Sequence, residues 1–387
     1  MAVRATSWRM QGMRDASSFL DLGSAIARGD WVAYFANGRS HQPVYAFLMA
    51  PPFAFDLNLE VYTFVLHTLI ACGTIYLVYS LARHVLGVVP GLLAALILAI
   101  NLMVALWFPW ITGDTPFHFF FALFAHAAVR AWERQNAATL TWFAVAALLC
   151  GFTRPEGFFV VTVGGSLLLF RMSSARLAVS TSLILVAATL VAGAAALTGT
   201  LYASRPVREA FFSNVHVAYP LYVSSRSVTN SPEEEYLTYG YDDVVIARAG
   251  QQPGFVSANY ALSMEGLRFI RENPVTWARM YVVRLSSIAF PSLFSPTWSV
   301  RNRIYSFALA FVLVVGSLLA CVFAGRRRFE VVGVTLLGLT IAFTVSLFQR
   351  EMDYRVPVSM HVILSCPAPF GWLAAFRRLR SNHPPTV

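Results

Sequence analysis

Residues 130–176 read RAWERQNAATLTWFAVAALLCGFTRPEGFFVVTVGGSLLLFRMSSAR, and this stretch decides how the chain is organised. Arg-Pro-Glu at 154–156 separates two apolar segments, and an Arg pair stands at each end, at 130/134 and 171/176. Because Arg collects in the cytoplasmic loops of membrane proteins, both pairs are expected on the inner face. The chain must then cross the membrane an even number of times between them, which puts residues 154–156 at the outer face.

The composition indicates a polytopic membrane protein. Of the 387 residues, 57% are hydrophobic and only 12% are charged, which leaves too few polar groups to coat a soluble globule. The basic residues are all Arg and report membrane topology rather than a nucleic-acid partner. We expect an all-α protein of a bacterial inner membrane with about nine spanning helices of roughly 17–25 residues. The apolar stretches are Val61–Leu81, Val88–Phe108, Pro116–Ala131, Ala138–Thr153, Pro155–Phe170, Leu177–Leu197, Ile304–Ala324, Val331–Phe348 and Pro357–Phe376.

The stretches divide the chain into four regions. Residues 1–60 form an external first loop, 61–198 a first transmembrane block, 199–303 a long external loop, and 304–387 a second transmembrane block with a basic cytoplasmic tail. The first loop carries no signal peptide or hydrophobic helix to push it outward, so a further N-terminal span is expected upstream of residue 1.

Each external loop contains a predicted amphipathic helix. In the first, Asp15 is followed by Phe19, Leu22 and Ile26 at helical spacing, and Gly29 is the expected stop. Asp15 is either the N-cap of this interfacial helix or a functional group. In the long loop, Asn273-Pro274 predicts the start of a second interfacial helix, which should not cross the bilayer.

Charged side chains on the predicted outer face are candidate functional residues, because ionisable groups at membrane depth are costly. Several have a simpler reading beside the functional one. Arg154 could snorkel and pair with Glu156; Asp114 could cap the helix that Pro116 opens. A lone His118 is most often a packing residue, and Arg350 and its neighbours could form a solvated turn.

The motifs that carry these residues resemble those of one family. They are Asp15-Ala-Ser-Ser-Phe19, His41-Gln-Pro43-Val-Tyr45, Gly113-Asp114-Thr-Pro116-Phe117, Gly151-Phe-Thr-Arg154-Pro155-Glu156 and Tyr354-Arg355-Val-Pro357. These motifs resemble those of lipid-dependent glycosyltransferases of the GT-C fold, such as protein O-mannosyltransferases and lipid A aminoarabinose transferases. Both the order of the motifs along the chain and their common outward face agree with that family. The resemblance implies that Asp15 is the catalytic base of an inverting, single-displacement transfer.

The chemistry of sugar transfer from a polyprenyl phosphate agrees with this residue set. One carboxylate must take the acceptor proton, and the phosphate leaves as a stable anion without a second catalytic acid. Arg suits the departing phosphate because its planar guanidinium stays charged and binds through two hydrogen bonds. The candidates are Asp15 and Asp114 for catalysis and Arg154, Arg350 and Arg355 for phosphate; His41, Glu156, His118 and Tyr354 are further site candidates.

The sequence shows no metal-ligand cluster and calls for no cofactor beyond the lipid-linked sugar, although a divalent ion between Asp15 and Asp114 stays open. The expected partners are a polyprenyl-phosphate sugar, membrane lipid and an acceptor glycan, lipid or protein. Two alternatives also stay open. A lipid-linked saccharide flippase would use intramembrane Arg and His along a path, and an outer-leaflet polysaccharide polymerase or ligase would carry its base in the late loop.

Overall fold

The computed structural model describes residues 14–36, 42–101, 104, 111–174, 264, 267–268, 270–289, 300–348 and 355–381. Every regular element in these ranges is helical, which confirms the expected all-α class. The helices are α1 (Arg14–Arg28), α2 (Trp31–Ala36), α3 (Pro43–Leu48), α4 (Pro51–Ala54), α5 (Leu59–Leu86), α6 (Val88–Ala99), α7 (Asp114–Arg134), α8 (Ala137–Gly151), α9 (Pro155–Ser174), α10 (Pro274–Ala289), α11 (Val300–Phe323), α12 (Arg328–Phe348), α13 (Arg355–Leu364) and α14 (Ala368–Ser381), with a 3-10 turn at Gly325–Arg327.

Most predicted stretches coincide with a helix, but the last one differs. The sequence predicted one span at 357–376, whereas the structure has α13 and α14 with a 51° bend between them. Pro367 explains the break, because it lacks the N–H that would continue the helix and disfavours helical geometry at Cys366. The stretch predicted at 177–197 lies outside the described residues.

One described helix, Leu59–Leu86, is by itself long and apolar enough to cross a membrane. Two bent pairs meet the same test if each counts as one span: Phe307–Phe323 with Gly325–Phe343, at 111°, and Val358–Leu364 with Ala368–Leu379. The described part of the chain therefore holds up to three such spans, and the total of nine stays a prediction.

The chain forms two compact units. The first comprises Met1–Ala178, Phe311–Ile341 and Val358–Val387, and the second comprises Val179–Ala310 and Ala342–Pro357. In the first unit α7 packs against α5, α8 and α9. Large side chains on its successive turns, among them Phe117, Phe121, Phe124 and Trp132, are fully buried. Packing along the whole of α7 therefore holds the helix in place, including its two ends.

Charged residues mark the C-terminal end of α7. Glu133 accepts a hydrogen bond from Arg327, and its Oε2 lies 2.6 Å from Nε2 of His84. These residues come from three gaps between apolar stretches, and each gap carries Arg: Arg83 beside His84, Arg130 with Arg134, and Arg326–Arg328. The same preference of Arg for cytoplasmic loops predicts all three gaps on one face of the membrane. Because α7 has 21 residues at about 1.5 Å each, Asp114 at its start lies about 30 Å away, which matches the thickness of a hydrocarbon core.

Helix α1 is amphipathic, as expected, and ends before Gly29, whose φ is 68°. Its placement along the membrane interface stays a prediction, but its apolar face does not depend on lipid for cover. Phe19 and Leu22 are buried in a cluster with Tyr45 and Met49, so protein side chains cover this face. Helix α10 begins at the predicted Pro274. The first loop thus packs as part of the first unit.

Helices α11 and α14 cross with their backbones in contact. A Cβ added at Gly371 would lie 1.9 Å from the Gly316 carbonyl oxygen, a distance that no atom pair tolerates. By contrast, a Cβ at Gly165 meets nothing within 4 Å among the described atoms. Glycine at 371 is therefore required by packing, whereas glycine at 165 is not.

We expect Gly371→Ala to separate α11 from α14 and to lower the thermal unfolding midpoint of the detergent-purified protein. Overpacking of this kind costs about 1–3 kcal/mol. Gly165→Ala is the control and should leave the midpoint unchanged or raise it, because Ala favours the helix. Equal midpoints for the two variants would contradict the close crossing.

Candidate functional site

Asp114 lies at the first position of α7 and is turned toward another segment. Gly113 is the N-cap, without a side-chain cap hydrogen bond, so the capping role that the sequence left open for Asp114 is not the one seen. The Oδ1 atom of Asp114 accepts a hydrogen bond from Nη1 of Arg154. The Asp114 side chain is only 1% exposed, so this ion pair is buried on the carboxylate side.

Arg154 lies between α8 and α9 and joins two carboxylates. Its Nε and Nη2 donate to Glu156 Oε2 and Oε1 at 3.1 and 3.0 Å, while Nη1 donates to Asp114. Each nitrogen of the guanidinium therefore donates to a carboxylate oxygen. Such a two-pronged pair with Glu156 is the strongest geometry available to Arg. The pairing with Glu156 that the sequence suggested is confirmed, and Asp114 is added to it.

The local sequence explains why the chain breaks at Arg154. Pro155 opens α9, where its missing N–H costs nothing. A Cβ at Gly157 would lie 2.2 Å from the Cys150 carbonyl oxygen, so only glycine lets α9 fold back so closely on α8. Pro155 and Gly157 therefore account for the break that places Arg154 between the two helices.

Three further segments meet at the start of α7. A Cβ at Gly113 would lie 3.5 Å from Phe19 Cζ, 3.6 Å from Gln42 Oε1 and 3.6 Å from the Thr153 carbonyl oxygen. Phe19 belongs to α1, Gln42 precedes α3, and Thr153 belongs to the break between α8 and α9. The structure thus brings together motifs from the first loop, the start of α7 and the Arg-Pro-Glu break.

A buried Tyr–His pair lies in the same region and was missed by the sequence analysis. The Tyr45 hydroxyl is 3.0 Å from Nε2 of His67, and both side chains are fully buried. Burial, and secondarily the charge of Asp114, raises the pKa of Tyr45 above its ordinary value, so the hydroxyl stays protonated. Tyr45 was visible inside a motif, but no local pattern points to His67 in the middle of α5.

The remaining candidates have different positions. His118 Nε2 is 3.1 Å from the Ser359 hydroxyl, which ties α7 to α13 in a buried contact. Asp15 lies in the first turn of α1, which begins at Arg14, rather than ahead of the helix. It precedes Phe19 by one turn, and positions four apart share a helix face.

Several candidates are outside the described residues. These are His41, Arg350 and Tyr354; Arg355 opens α13, but its side chain is not among those described. Within the described part of the chain, no three His, Cys, Asp or Glu side chains lie close enough together to hold a metal ion.

We expect Arg154→Gln to destabilise the protein by about 3–5 kcal/mol, because it leaves the buried Asp114 carboxylate unpaired. The double variant Asp114→Asn/Arg154→Gln removes both charges and should recover most of that loss. The measurement is the thermal unfolding midpoint in detergent.

The matched control is Arg327→Gln, which breaks the ion pair with Glu133 at the other end of α7. The Arg327 side chain is 46% exposed, so the loss should stay below about 1 kcal/mol. If Arg154→Gln cost no more than this control, Arg154 would not be neutralising a buried charge.

Comparison with known proteins finds one family model that matches part of the chain. Residues 40–199 match the family model described as dolichyl-phosphate-mannose-protein mannosyltransferase. No curated protein matches the chain. A solved structure of the archaeal oligosaccharyltransferase AglB from Archaeoglobus fulgidus, in complex with an inhibitory peptide and a dolichol-phosphate, aligns with 98% of the chain at 15% identity and a TM-score of 0.47.

The chain spans about half the length of that archaeal protein, which it covers to 49%. The family match has a firmer basis, because it covers the start of α7 and the Arg154-Pro155-Glu156 break in one segment. Over residues 40–199 the chain is therefore similar in sequence to the dolichyl-phosphate-mannose-protein mannosyltransferase family, which confirms the resemblance inferred from its motifs.

Proposed function

We propose that this protein is a membrane glycosyltransferase that moves a sugar from a polyprenyl-phosphate donor to an acceptor hydroxyl at the extracytoplasmic face. The family match over residues 40–199 carries the proposal. The geometry supports it, because the segment that matches the family contains Asp114, Arg154 and Glu156, and these three side chains form one cluster.

In this proposal Asp15 is the general base. The acceptor oxygen attacks the anomeric carbon while Asp15 takes its proton, and the bond between that carbon and the phosphate oxygen breaks. Attack from the side opposite the phosphate inverts the anomeric centre. Helix α1 supports this role for Asp15, because the next turn of the same face carries Phe19 to the Gly113 backbone beside Asp114.

The departing polyprenyl phosphate needs positive charge and no proton. We assign this task to Arg355 and Arg350, which stand at and just before the start of α13. A guanidinium stabilises the charge that develops on the phosphate oxygens and remains ionised beside lipid. The external loop 199–303 is proposed to cover the site and to select the acceptor, whether glycan, lipid or protein.

We expect Asp15→Asn to slow transfer strongly while leaving the protein folded, because the amide cannot take the acceptor proton. The assay incubates purified full-length protein with radiolabelled polyprenyl-phosphate sugars and membrane extract, and measures label in the acceptor. Loss of a general base lowers the rate about 10²–10⁴-fold.

The control for this experiment is Asp21→Asn, since Asp21 is an exposed acid on the same helix and should be dispensable. Transfer that survives Asp15→Asn at the wild-type rate would refute the assignment of the base.

Arg355→Ala should raise the donor concentration needed for half-maximal transfer and lower the maximal rate, because the leaving phosphate loses a cation. Arg377→Ala, at an exposed position in α14, is the control and should behave like wild type. The measurement is initial rate against polyprenyl-phosphate sugar concentration. Normal kinetics for Arg355→Ala would remove this residue from the phosphate site.

A further inference from the structure

Arg154 was predicted from the sequence as a phosphate ligand, and its contacts indicate another role. The guanidinium donates through Nε and Nη2 to Glu156 and through Nη1 to Asp114. A phosphate would have to compete with two carboxylates for these N–H groups. The side chain is 15% exposed, so little of the guanidinium faces outward.

The net charge of the cluster formed by Asp114, Arg154 and Glu156 also disfavours the binding of phosphate. Two acidic side chains share one guanidinium, so the formal charge of Asp114, Arg154 and Glu156 together is negative. Like charges in a poorly hydrated site repel more strongly than in water. The cluster is therefore better suited to a neutral ligand than to an anion.

The unused hydrogen-bonding capacity of Asp114 further restricts which kind of ligand fits the cluster. Asp114 Oδ2 is buried and has no hydrogen-bond partner among the described residues. A buried acceptor without a donor costs about 1–3 kcal/mol, and more when it is charged. Since an ionised carboxylate and an ionised phosphate both only accept hydrogen bonds, phosphate cannot satisfy Oδ2. A hydroxyl group can.

Neutral polar groups surround the same backbone. Two positions before Asp114, the buried Thr112 hydroxyl also has no partner within the described part of the chain. The Gln42 amide oxygen lies 3.6 Å from the Cβ position of Gly113. Hydroxyl and amide groups both donate and accept, as sugar hydroxyls do.

We propose that Asp114 Oδ2 accepts a hydrogen bond from a hydroxyl of the donor sugar, and that Arg154 is a positioning residue that holds Asp114 in place. The proposal rests on the proposed function, in which Asp15 takes the proton of the acceptor hydroxyl. The donor sugar is then the other ligand that carries hydroxyl groups. Phosphate recognition then belongs to the cations near the start of α13.

The test compares two lipids with the same prenyl chain, a polyprenyl phosphate and the same lipid carrying mannose or glucose. Binding to the full-length protein in lipid nanodiscs is measured for wild type and three variants: Asp114→Asn, Arg154→Gln and the double variant. We expect each to weaken binding of the sugar-bearing lipid about tenfold, the scale of one hydrogen bond to a charged group. Binding of the sugar-free lipid should stay unchanged.

The double variant should lose no more affinity than either single one, because both act on the same contact. The double variant also removes both charges together, so no unpaired carboxylate is left buried at Asp114. It can therefore be measured even if Arg154→Gln does not fold. Arg154→Lys keeps the positive charge and a hydrogen-bonding nitrogen, so it should bind the sugar-bearing lipid better than Arg154→Gln does. Glu133→Gln, which alters the paired carboxylate at the other end of α7, should leave both affinities at the wild-type value.

Two results would overturn the inference. One is weaker binding of the sugar-free lipid by Arg154→Gln or the double variant, which would make Arg154 a phosphate ligand. The other is unchanged sugar-lipid binding by Asp114→Asn. Both leave the proposed function standing as long as wild type binds the sugar-bearing lipid. A wild-type protein that binds neither lipid would instead refute the proposed function, and the inference with it.

Discussion

The guanidinium of Arg154, held between the carboxylates of Asp114 and Glu156, is the interaction on which the candidate site depends. It joins two places that are 40 residues apart in sequence, the start of α7 and the break between α8 and α9. A buried charge is tolerated only when it is paired and hydrogen-bonded. The pairing therefore fixes where these two segments meet, and with them the first loop that packs over Gly113.

Helix α7 connects this cluster to the opposite end of the first unit. Its N-terminal end carries Asp114 and its C-terminal end carries Glu133, and each carboxylate accepts a hydrogen bond from an Arg of a distant segment. Buried aromatic side chains fill the length between them. The two ion contacts differ in exposure: Arg154 is largely covered, whereas Arg327 is about half exposed. The two ion pairs therefore contribute differently to stability, because burial removes more water from the pair at Asp114 than from the pair at Glu133.

Much of the fold could be predicted from the sequence, because hydrophobic stretches, Pro and Gly act locally. The helical class, the start of α10 at Pro274 and the stop of α1 at Gly29 follow from such signals. The surface against which α1 packs cannot be predicted from such local signals. An amphipathic helix has the same spacing whether lipid or protein covers it, and here the ring of Tyr45 and its neighbours cover Phe19 and Leu22. The bend after α13 was also missed, since Pro367 lies within an otherwise apolar run.

By itself the sequence determined which residues are candidates for the chemistry: acids and Arg are so costly in an apolar chain that their positions stand out, and the spacing of the Arg pairs predicts which of them share a face. Only the tertiary structure decided which of them contact one another. Arg154 was recognisable as a candidate, but its pairing with Asp114 and the buried Tyr45–His67 pair depend on contacts between distant segments. No local pattern encodes such contacts, because they arise when several helices bury the same polar groups together.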